Sequence, residues 1–452
     1  MSEEETSFLL TDLYQLAMMQ AYQEAGETGA AVFEFFVRRL PEKRNFLVAA
    51  GLEQALRFLE RIRPSEEELA WLEQSGHVDA DLVERLRSFE FSGDVDAMPE
   101  GSVFFPDEPI LRVTAPLPEA QYVETRLINI LHFQTVIASK AARMVLAADG
   151  RTLIDFGLRR AHGAEAGLLA ARASYLVGFS GSANVLAERK FGVPAFGTMA
   201  HSFVQSFDNE PAAFEAFAKV RPDNLVLLID TYDTEEGARR VVALAPKLSA
   251  MGIKIKAVRL DSGDLCALAK SVRVILDSGG LAEIKIFASG GLDEFEIAKL
   301  LANGAPIDGF GVGTSLTTAS DAPALDCAYK LQEYAGQARR KRSSGKATWP
   351  GRKQIWRRFD RSGWMAGDVV SIEGDRQDGT PLLQPVMRAG RRLAPAPTLE
   401  EIRDRAAAEI NRLPSALRRF EKAARYEVHI SENLRKLAKE VDRFIDRGAK
   451  RE

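Results

Sequence analysis

One histidine with hydroxyl neighbours lies where a parallel α/β protein is expected to bind its ligand. The segment 198–202 (TMAHS) follows an apolar run at 193–197, which predicts a buried strand, and a helix-forming stretch comes next. In parallel α/β folds, ligands bind at the carboxyl ends of the strands. His201 alone is more often a packed or solvated residue than a catalyst. The residues at other strand ends make a functional role of His201 more plausible than it would be alone.

Seven apolar runs alternate with helical segments in the middle of the chain and predict a series of βα units. Continuous apolar runs are typical of parallel strands buried on both faces. Seven units favour a closed or nearly closed α/β barrel, with a doubly wound sheet as the alternative. The runs are residues 152–156, 175–179, 193–198, 225–230, 253–261, 284–289 and 307–312.

Small and polar residues follow every one of these runs. Turn and helix-cap chemistry alone places such residues there, so no single strand end is decisive. Two successive ends, 289–291 and 311–314, are rich in glycine, which lets backbone N–H groups approach an anion at a helix start. The last two strand loops of α/β barrels often form a phosphate site.

Charged side chains at other strand ends suit the same kind of ligand. Arg259 and the pair Arg159 and Arg160 offer bidentate donors for carboxylate or phosphate, with a surface ion pair as the alternative. Together these groups predict an enzyme acting on a sugar phosphate, without choosing the reaction. The carboxylates that suit sugar hydroxyls or water-held Mg²⁺ are Asp230, Asp233, Asp261 and Asp264, the last of which equally suits a helix start.

Composition narrows the class of protein. The chain has 452 residues, 46% of them apolar, which indicates two or three domains with full cores. A formal net charge of -4 argues against a nucleic-acid partner. The chain has two cysteines, which form neither a disulfide framework nor a metal-ligand spacing. Such sparse cysteine usage is typical of a protein in the reducing cytoplasm. The acidic, polar start at residues 1–7 predicts that there is no signal peptide. The lack of a long uncharged apolar run predicts that there is no membrane-spanning segment.

Six segments together resemble the signature blocks of the nicotinate phosphoribosyltransferase family. They occur in the expected order, which makes the set far more specific than any one motif. No recognisable block covers the chain after about residue 393. The segments are TDLYQ (11–15), DFGLRRA (155–161), GTMAHS (197–202), VRLDSGD (258–264), GVGTS (311–315) and KATWPGRKQ (346–354).

The resemblance implies a type II phosphoribosyltransferase fold, an irregular α/β barrel with an N-terminal α+β domain completed by C-terminal segments. We expect the N-terminal domain over residues 1–148, the barrel over 149–320, and a segment at 321–452 that returns to the first domain. In that segment the pattern of 322–335 predicts a helix. Residues 339–358 contain nine Lys or Arg and no acid. We interpret them as a phosphate-facing loop and hairpin rather than a nucleic-acid patch.

The same resemblance implies an activity. Family members make nicotinate mononucleotide and pyrophosphate from nicotinate and phosphoribosyl pyrophosphate, a step of NAD biosynthesis coupled to ATP hydrolysis. It implies a homodimer with sites between subunits. His201 would be the transiently phosphorylated histidine, and Asp261 would lie near the ribose, with Arg259 as a further catalytic residue. Mg²⁺ would neutralise the pyrophosphate leaving group.

Substrate contacts are also implied residue by residue. Tyr14 would pack on the pyridine ring, reaching the other subunit's barrel, and Arg259 would pair with the nicotinate carboxylate. Thr198 and Arg159 would complete the nicotinate pocket. The implied contacts to phosphoribosyl pyrophosphate are Arg160 and the backbone of Gly290, Gly291, Gly313 and Thr314.

Two kinds of alternative remain open at this point. The substrate could be nicotinamide, which needs no carboxylate partner, or quinolinate, which needs a denser cationic pocket and usually a shorter chain. The segment 12–15 favours nicotinate. The other alternative is a non-catalytic sugar-phosphate sensor, although a pure binder has no need of the His201 segment.

Overall fold

The computed structural model describes residues 6–448 of a chain that divides into two compact units. One unit comprises Met1–Val136 and Ala324–Glu452, and the other comprises Ile137–Pro323. Residues 1–5 and 449–452 lie outside the described part. Most of the acidic start, which predicts the absence of a signal peptide, is therefore among them.

The first unit begins with helices around antiparallel strands. The capping box at Ser65 shows how local sequence sets a helix start, because the Ser65 hydroxyl accepts from the Glu68 N–H and the Glu68 carboxylate accepts from the Ser65 N–H. The last helix continues past the unit boundary. In chain order the elements are α1 (Leu13–Glu24), β1 (Ala30–Val37), β2 (Leu47–Val48), α2 (Leu52–Arg61), α3 (Glu66–Ser75), α4 (Ala80–Leu86), β3 (Asp94–Ala97), β4 (Val103–Phe104), β5 (Pro109–Pro116), α5 (Leu117–Tyr122) and α6 (Glu124–Ala148).

The second unit alternates strands and helices, as the sequence predicts. Most residues of its strands are apolar and buried, which is typical of a parallel sheet covered on both faces. Its elements are β6 (Thr152–Asp155), α7 (Ala164–Tyr175), β7 (Gly181–Ser182), α8 (Val185–Phe191), α9 (His201–Gln205), α10 (Glu210–Val220), β8 (Leu225–Leu228), α11 (Thr234–Ala250), β9 (Ile255–Leu260), α12 (Leu265–Ser278), β10 (Lys285–Ser289), α13 (Glu294–Ala302), β11 (Gly309–Val312) and α14 (Thr314–Thr317).

Strand order identifies the second unit as a barrel. The six strands pair in parallel in the order β7-β6-β11-β10-β9-β8. The first strand, β6, therefore pairs with the last, β11, which a doubly wound sheet does not do. The predicted α/β barrel is confirmed, and it is irregular because β7 and β8 are not hydrogen-bonded to each other.

Two of the seven predicted strands are wrong. Residues 175–179 are the last residue of α7 and the turn that ends it, in which the Phe179 N–H donates to the Ser174 carbonyl. Their apolar side chains are buried in this turn rather than in a strand. The strand at this place is the two-residue β7. Residues 193–198 form only one bridge, from Ala195 to Ser182. Pro194 has no N–H to donate to a ladder, so this gap in the barrel stays irregular.

The chain then returns to the first unit and completes its sheets. β12 joins the edge of a seven-stranded sheet whose order is β13-β12-β1-β5-β3-β17-β18. The returning elements are β12 (Cys327–Tyr334), β13 (Gln337–Ala338), β14 (Lys353–Phe359), β15 (Met365–Ile372), β16 (Thr380–Pro381), β17 (Gln384–Arg388), β18 (Arg391–Arg392), α15 (Leu399–Asn411), β19 (Val428–Ile430) and α16 (Glu432–Gly448), with a short 3₁₀ turn at Ser415–Arg418. Another 3₁₀ turn, Leu158–Arg160, lies in the second unit between β6 and α7.

The predicted helix at 322–335 is wrong, because most of it is the strand β12. It pairs antiparallel with β1 from Cys327 to Tyr334, and Tyr329 stacks on Phe33 with ring centroids 4.9 Å apart. The composition of this stretch is compatible with a helix. Backbone bonds to β1 and burial of Tyr329 outweigh that local preference.

The basic run at 339–358 has a mainly structural role in its own unit. The hairpin predicted within this run is wrong, because only β14 begins in it and the partner strand β15 lies beyond residue 358. Five of the nine cations form ion pairs with acids of the same unit, and the phosphate-facing interpretation of the loop stays a prediction. Such neutralisation is what burial of a charge requires. The pairs are Arg340–Asp442, Arg342–Asp446, Arg352–Glu333, Lys353–Glu34 and Arg357–Asp368.

Candidate active site

A cavity of about 950 Å³ opens at the carboxyl ends of the barrel strands. The strand-end segments of the sequence meet there, as expected for parallel strands whose ends face one edge. All the residues to which the family resemblance assigns a role, except Tyr14, line this cavity. They are Arg159, Arg160, Thr198, His201, Arg259, Asp261, Gly290, Gly291, Gly313 and Thr314. Of the four strand-end carboxylates, only Asp261 lines it, and Asp233 and Asp264 instead cap the starts of α11 and α12.

His201 begins the short helix α9, and its ring is 39% exposed to the cavity. Its Nδ1 is 3.2 Å from Thr231 Oγ1, and its Nε2 is 4.0 Å from Asp230 Oδ1 and 3.9 Å from Asp261 Oδ2. Two carboxylates therefore lie beside Nε2, while Nδ1 faces a hydroxyl. The ring is thus held in place and open to an incoming electrophile.

Asp230 supports the strand end that carries Asp261. Its Oδ2 accepts hydrogen bonds from the Asp261 N–H at 2.8 Å and from Ser262 Oγ at 2.7 Å. The side chain is 1% exposed, and its Oδ1, the atom that faces His201, is buried without a hydrogen bond. On the other side, Ser289 Oγ donates to Asp261 Oδ1 at 2.5 Å. Asp261 is therefore fixed from two neighbouring strands.

Arg259 presents a guanidinium that forms no ion pair with the described residues. Its Nη2 donates to the Met199 carbonyl at 3.2 Å, an oxygen that also accepts from Thr198 Oγ1. Its buried Nε–H has no hydrogen-bond partner, and among residues 6–448 no carboxylate lies within ion-pair distance of it. Burial lowers the pKa of Arg259, with Asp261 and Asp230 opposing that effect. An arginine stays charged even so, and a bound carboxylate would satisfy it.

Phe156 supplies a flat apolar wall beside Arg259, and sequence reasoning assigned it no role. Its ring centroid is 5.8 Å from the Arg259 guanidinium carbon. The ring packs against Gly311, where an added Cβ would lie 2.4 Å from it. Glycine within the last strand is the signal that indicates such a close approach. Phe156 also borders a second cavity, of about 820 Å³, in the barrel interior.

Two glycine-rich loops form the side of the cavity suited to an anion. Gly290 and Gly291 have φ of +94° and +64°, which other residues rarely adopt. Gly313 precedes the single turn of α14, whose first N–H groups have no intrahelical acceptor. Ser315 adds a hydroxyl that is buried without a hydrogen-bond partner and lines the cavity. These donors suit a phosphate group.

Arg159 and Arg160 lie on an exposed 3₁₀ turn at the rim, held by a buried carboxylate. Asp155 accepts from the Gly157 N–H at 2.7 Å through Oδ1 and from Ser182 Oγ at 2.7 Å through Oδ2. It thereby ties the turn to the neighbouring strand β7. Sequence reasoning did not single out this residue.

We expect Asp155→Asn to change how stability depends on pH. Burial raises the pKa of Asp155 from 3.8 to about 6, although Ser182 and Gly157 oppose the rise. Between these values the folded protein holds a proton that the unfolded chain has lost. Stability therefore falls as pH rises through this window, by about 3 kcal/mol.

The asparagine variant keeps the two acceptor contacts in part but lacks the titration. Urea unfolding of both proteins from pH 4 to 8 measures the effect. The free energy of unfolding of the variant relative to the wild type should rise with pH, mostly between pH 4 and 6. A difference that stays constant over this range would contradict the assignment of the buried proton to Asp155.

Tyr14 lies on α1 of the other unit, and its side chain is about half exposed. Burial, together with Glu124 and Asp12, raises the pKa of its hydroxyl. The neighbouring Gln15 is fully buried and bonds Gln121 and Glu124, which fixes this end of the helix. The stacking role of Tyr14 stays a prediction.

Within residues 6–448, no group of three or more His, Cys, Asp or Glu side chains is placed to hold a metal ion. Mg²⁺ usually keeps several waters and takes only one or two carboxylates together with substrate phosphates. Asp261 and Asp293 both line the cavity and fit that requirement. In the same described part of the chain, no helix has both the length and the apolarity needed to cross a bilayer.

Comparison with known proteins gives consistent matches over most of the chain. The profiles of the nicotinate phosphoribosyltransferase N-terminal domain, family and C-terminal domain match residues 9–132, 152–346 and 374–438. A nicotinate phosphoribosyltransferase of Mycobacterium tuberculosis is 50% identical over 428 residues, which cover 94% of this chain and 92% of that protein.

Solved structures show the same architecture. Human nicotinic acid phosphoribosyltransferase matches with a TM-score of 0.87 and 31% identity, over 96% of this chain and 100% of that one. A nicotinate-nucleotide pyrophosphorylase from Pyrococcus furiosus matches with a TM-score of 0.75 and 26% identity, over 91% of this chain and 97% of that one. The predicted type II phosphoribosyltransferase fold is confirmed.

Proposed function

This chain belongs to the nicotinate phosphoribosyltransferase family, and on that premise we propose that it joins nicotinate to phosphoribosyl pyrophosphate, releasing nicotinate mononucleotide and pyrophosphate for NAD biosynthesis. The observation that carries this proposal is the guanidinium of Arg259, which forms no ion pair with the described residues and lies next to the Phe156 ring in one cavity with two glycine-rich loops. A planar carboxylate substrate and a sugar phosphate fit these two sides of the cavity.

Nicotinate would bind with its carboxylate on Arg259 and its ring beside Phe156. Thr198 and Arg159 border the same space. A bidentate pair between guanidinium and carboxylate fixes the orientation of the ring and aims its nitrogen at the sugar. Tyr14 would cover the ring from the other subunit of a homodimer.

Phosphoribosyl pyrophosphate would place its 5′-phosphate on the backbone of Gly290, Gly291, Gly313 and Thr314, with Arg160 at the pyrophosphate. The pyridine nitrogen attacks C1 of the ribose as the bond to pyrophosphate breaks. Asp261 lies where it can offset the positive charge that develops at C1. When bound, Mg²⁺ neutralises the pyrophosphate, and Asp261 and Asp293 are the carboxylates that can hold it.

His201 would couple ATP hydrolysis to this reaction. An unprotonated ring nitrogen attacks the γ-phosphorus, an N–P bond forms, and the bond to ADP breaks. Water later cleaves the N–P bond and releases phosphate. The nearby carboxylates of Asp230 and Asp261 favour the cationic phosphoimidazole ring.

We assign the protein to the cytoplasm from its two cysteines, which are unpaired.

We expect His201→Ala to abolish stimulation by ATP while slow, ATP-independent synthesis remains. The variant removes the phosphate acceptor but leaves Arg259 and the glycine loops in place. Nicotinate mononucleotide and phosphate are followed with nicotinate, phosphoribosyl pyrophosphate and Mg²⁺, with and without ATP. His429→Ala, an exposed histidine of the other unit, is the matched control and should behave as the wild type.

The same assay decides between substrates. Consumption of nicotinamide in place of nicotinate would show that the assignment of Arg259 is wrong, and consumption of quinolinate would show that the pocket takes a dicarboxylate instead. Binding of phosphoribosyl pyrophosphate without release of pyrophosphate from any of the three pyridines would favour a sensor. Full ATP stimulation in His201→Ala would exclude the phosphohistidine.

A further inference from the structure

A buried lysine joins the two loops that line the anion side of the cavity. Lys140 lies on α6, and its side chain is 1% exposed. Its Nζ is 2.5 Å from Glu294 Oε2 and 2.9 Å from Asp321 Oδ1. Glu294 directly follows the first glycine-rich loop, 290–293, and Asp321 directly follows the segment 313–320 that contains the second. One cation therefore connects both loops.

The Glu294 end of this connection is firmly held. Its carboxylate is fully buried, and Arg143 Nε also donates to Oε1 at 2.9 Å. Burial acts to raise the pKa of Glu294, but the contacts with Lys140 and Arg143 outweigh it and lower the pKa below its ordinary value. An ionised carboxylate between two cations in a buried place is a strong anchor, because the low dielectric strengthens each contact.

Glycine-rich loops need such an anchor. Gly290 and Gly291 can adopt many backbone conformations, and α14 is only a single turn. A phosphate bound between two loops from different strands requires both loops at a fixed spacing. Because the two Lys140 contacts lie at the ends of the two loops, they set that spacing.

We propose that Lys140 is a positioning residue for phosphoribosyl pyrophosphate, which acts by holding loop 290–293 and segment 313–320 in register. The inference rests on the proposed function, because the ligand of the two loops is taken from it. Lys140 touches no substrate in this scheme. The nicotinate contacts Arg259 and Thr198 belong to other segments, so the effect is confined to one substrate.

The test measures both substrates on full-length variants. For Lys140→Met we expect the KM and the calorimetric Kd for phosphoribosyl pyrophosphate to rise about 10- to 50-fold, while the KM for nicotinate changes less than about threefold. Lys140→Arg should recover most of the loss, because a guanidinium can contact both carboxylates.

Two further variants separate positioning from general destabilisation. Asp321→Asn keeps the buried Lys140–Glu294 pair and weakens the contact of Lys140 with Asp321, so it should fold and raise the same KM about three- to tenfold. Arg143→Met removes a buried cation from the same carboxylate but leaves Lys140 joining both loops. Its loss of thermal stability should be comparable to that of Lys140→Met, and its KM for phosphoribosyl pyrophosphate should change less.

The outcomes are distinct. Equal effects of Lys140→Met and Arg143→Met on phosphoribosyl pyrophosphate, or parallel changes in both substrates, would overturn the positioning role. Unchanged affinity in Asp321→Asn and Lys140→Met would do the same. A wild-type protein that binds no phosphoribosyl pyrophosphate would overturn the proposed function and this inference together.

Discussion

Replacing Arg259 by leucine is expected to lower kcat/KM for nicotinate by roughly 10²- to 10³-fold, or about 3–4 kcal/mol of transition-state binding. The variant removes a cation that forms no ion pair in the described chain and whose Nε–H is buried without a hydrogen-bond partner. A carboxylate brought beside Phe156 would then lose its water without gaining a partner. Initial rates over a range of nicotinate concentrations measure the loss, and we expect it mostly in KM.

Arg259→Lys is the matched control for charge. Lysine keeps the positive charge but not the planar fork that binds a carboxylate through two parallel bonds, so an intermediate loss of about tenfold is expected. Nicotinamide gives the complementary measurement. Because it has no carboxylate, its rate should change little in Arg259→Leu, and the preference for nicotinate should largely disappear.

A loss of the same size for nicotinate and nicotinamide would contradict the pairing of Arg259 with a carboxylate. It would indicate instead that Arg259 holds the segment around Met199, whose carbonyl it contacts. Thermal unfolding of the two variants tests whether Arg259 has such a structural role. Arg259→Leu and Arg259→Lys should unfold close to the wild type if the role of Arg259 lies in substrate binding.

Much of the site could be predicted because strand ends in a parallel barrel share one edge. Ten of the eleven residues to which the family resemblance assigns a role line one cavity for this reason. The strand-end rule needs only the runs and their order. The rule does not require every run to form a regular strand. The runs 175–179 and 193–198 do not form regular strands, and the site is still at the predicted edge. His201 reaches the cavity from the irregular segment after Pro194.

What the sequence could not show depends on contacts between distant segments. Cys327 to Tyr334 has no strand pattern strong enough to compete with a helix until β1 offers its edge. Phe156 becomes a wall of the site only because Gly311 lets its ring approach. Lys140 lies in a long helix, and nothing local distinguishes it from a solvated lysine. Such roles come from packing, which one sequence does not reveal.

Replacing Gly290 by alanine is expected to lower kcat/KM at least 10²-fold and to destabilise the protein by about 2–4 kcal/mol. Gly290 has φ of +94°, and an added Cβ would lie 2.0 Å from the carbonyl oxygen of Asp261. That oxygen belongs to the backbone, so the methyl group can fit only if the end of β9 or the loop moves. Either movement separates Asp261 from the predicted phosphate loop.

Gly291→Ala is the comparison that isolates this close approach. Gly291 also has positive φ, of +64°, but nothing lies within 4 Å of its added Cβ. It should therefore show only the strain of the backbone, about 1–2 kcal/mol, and a loss of activity below about tenfold. Urea unfolding and steady-state rates of the two variants provide the measurement. Equal losses would mean that backbone freedom, rather than contact with the Asp261 strand end, makes glycine necessary in this loop.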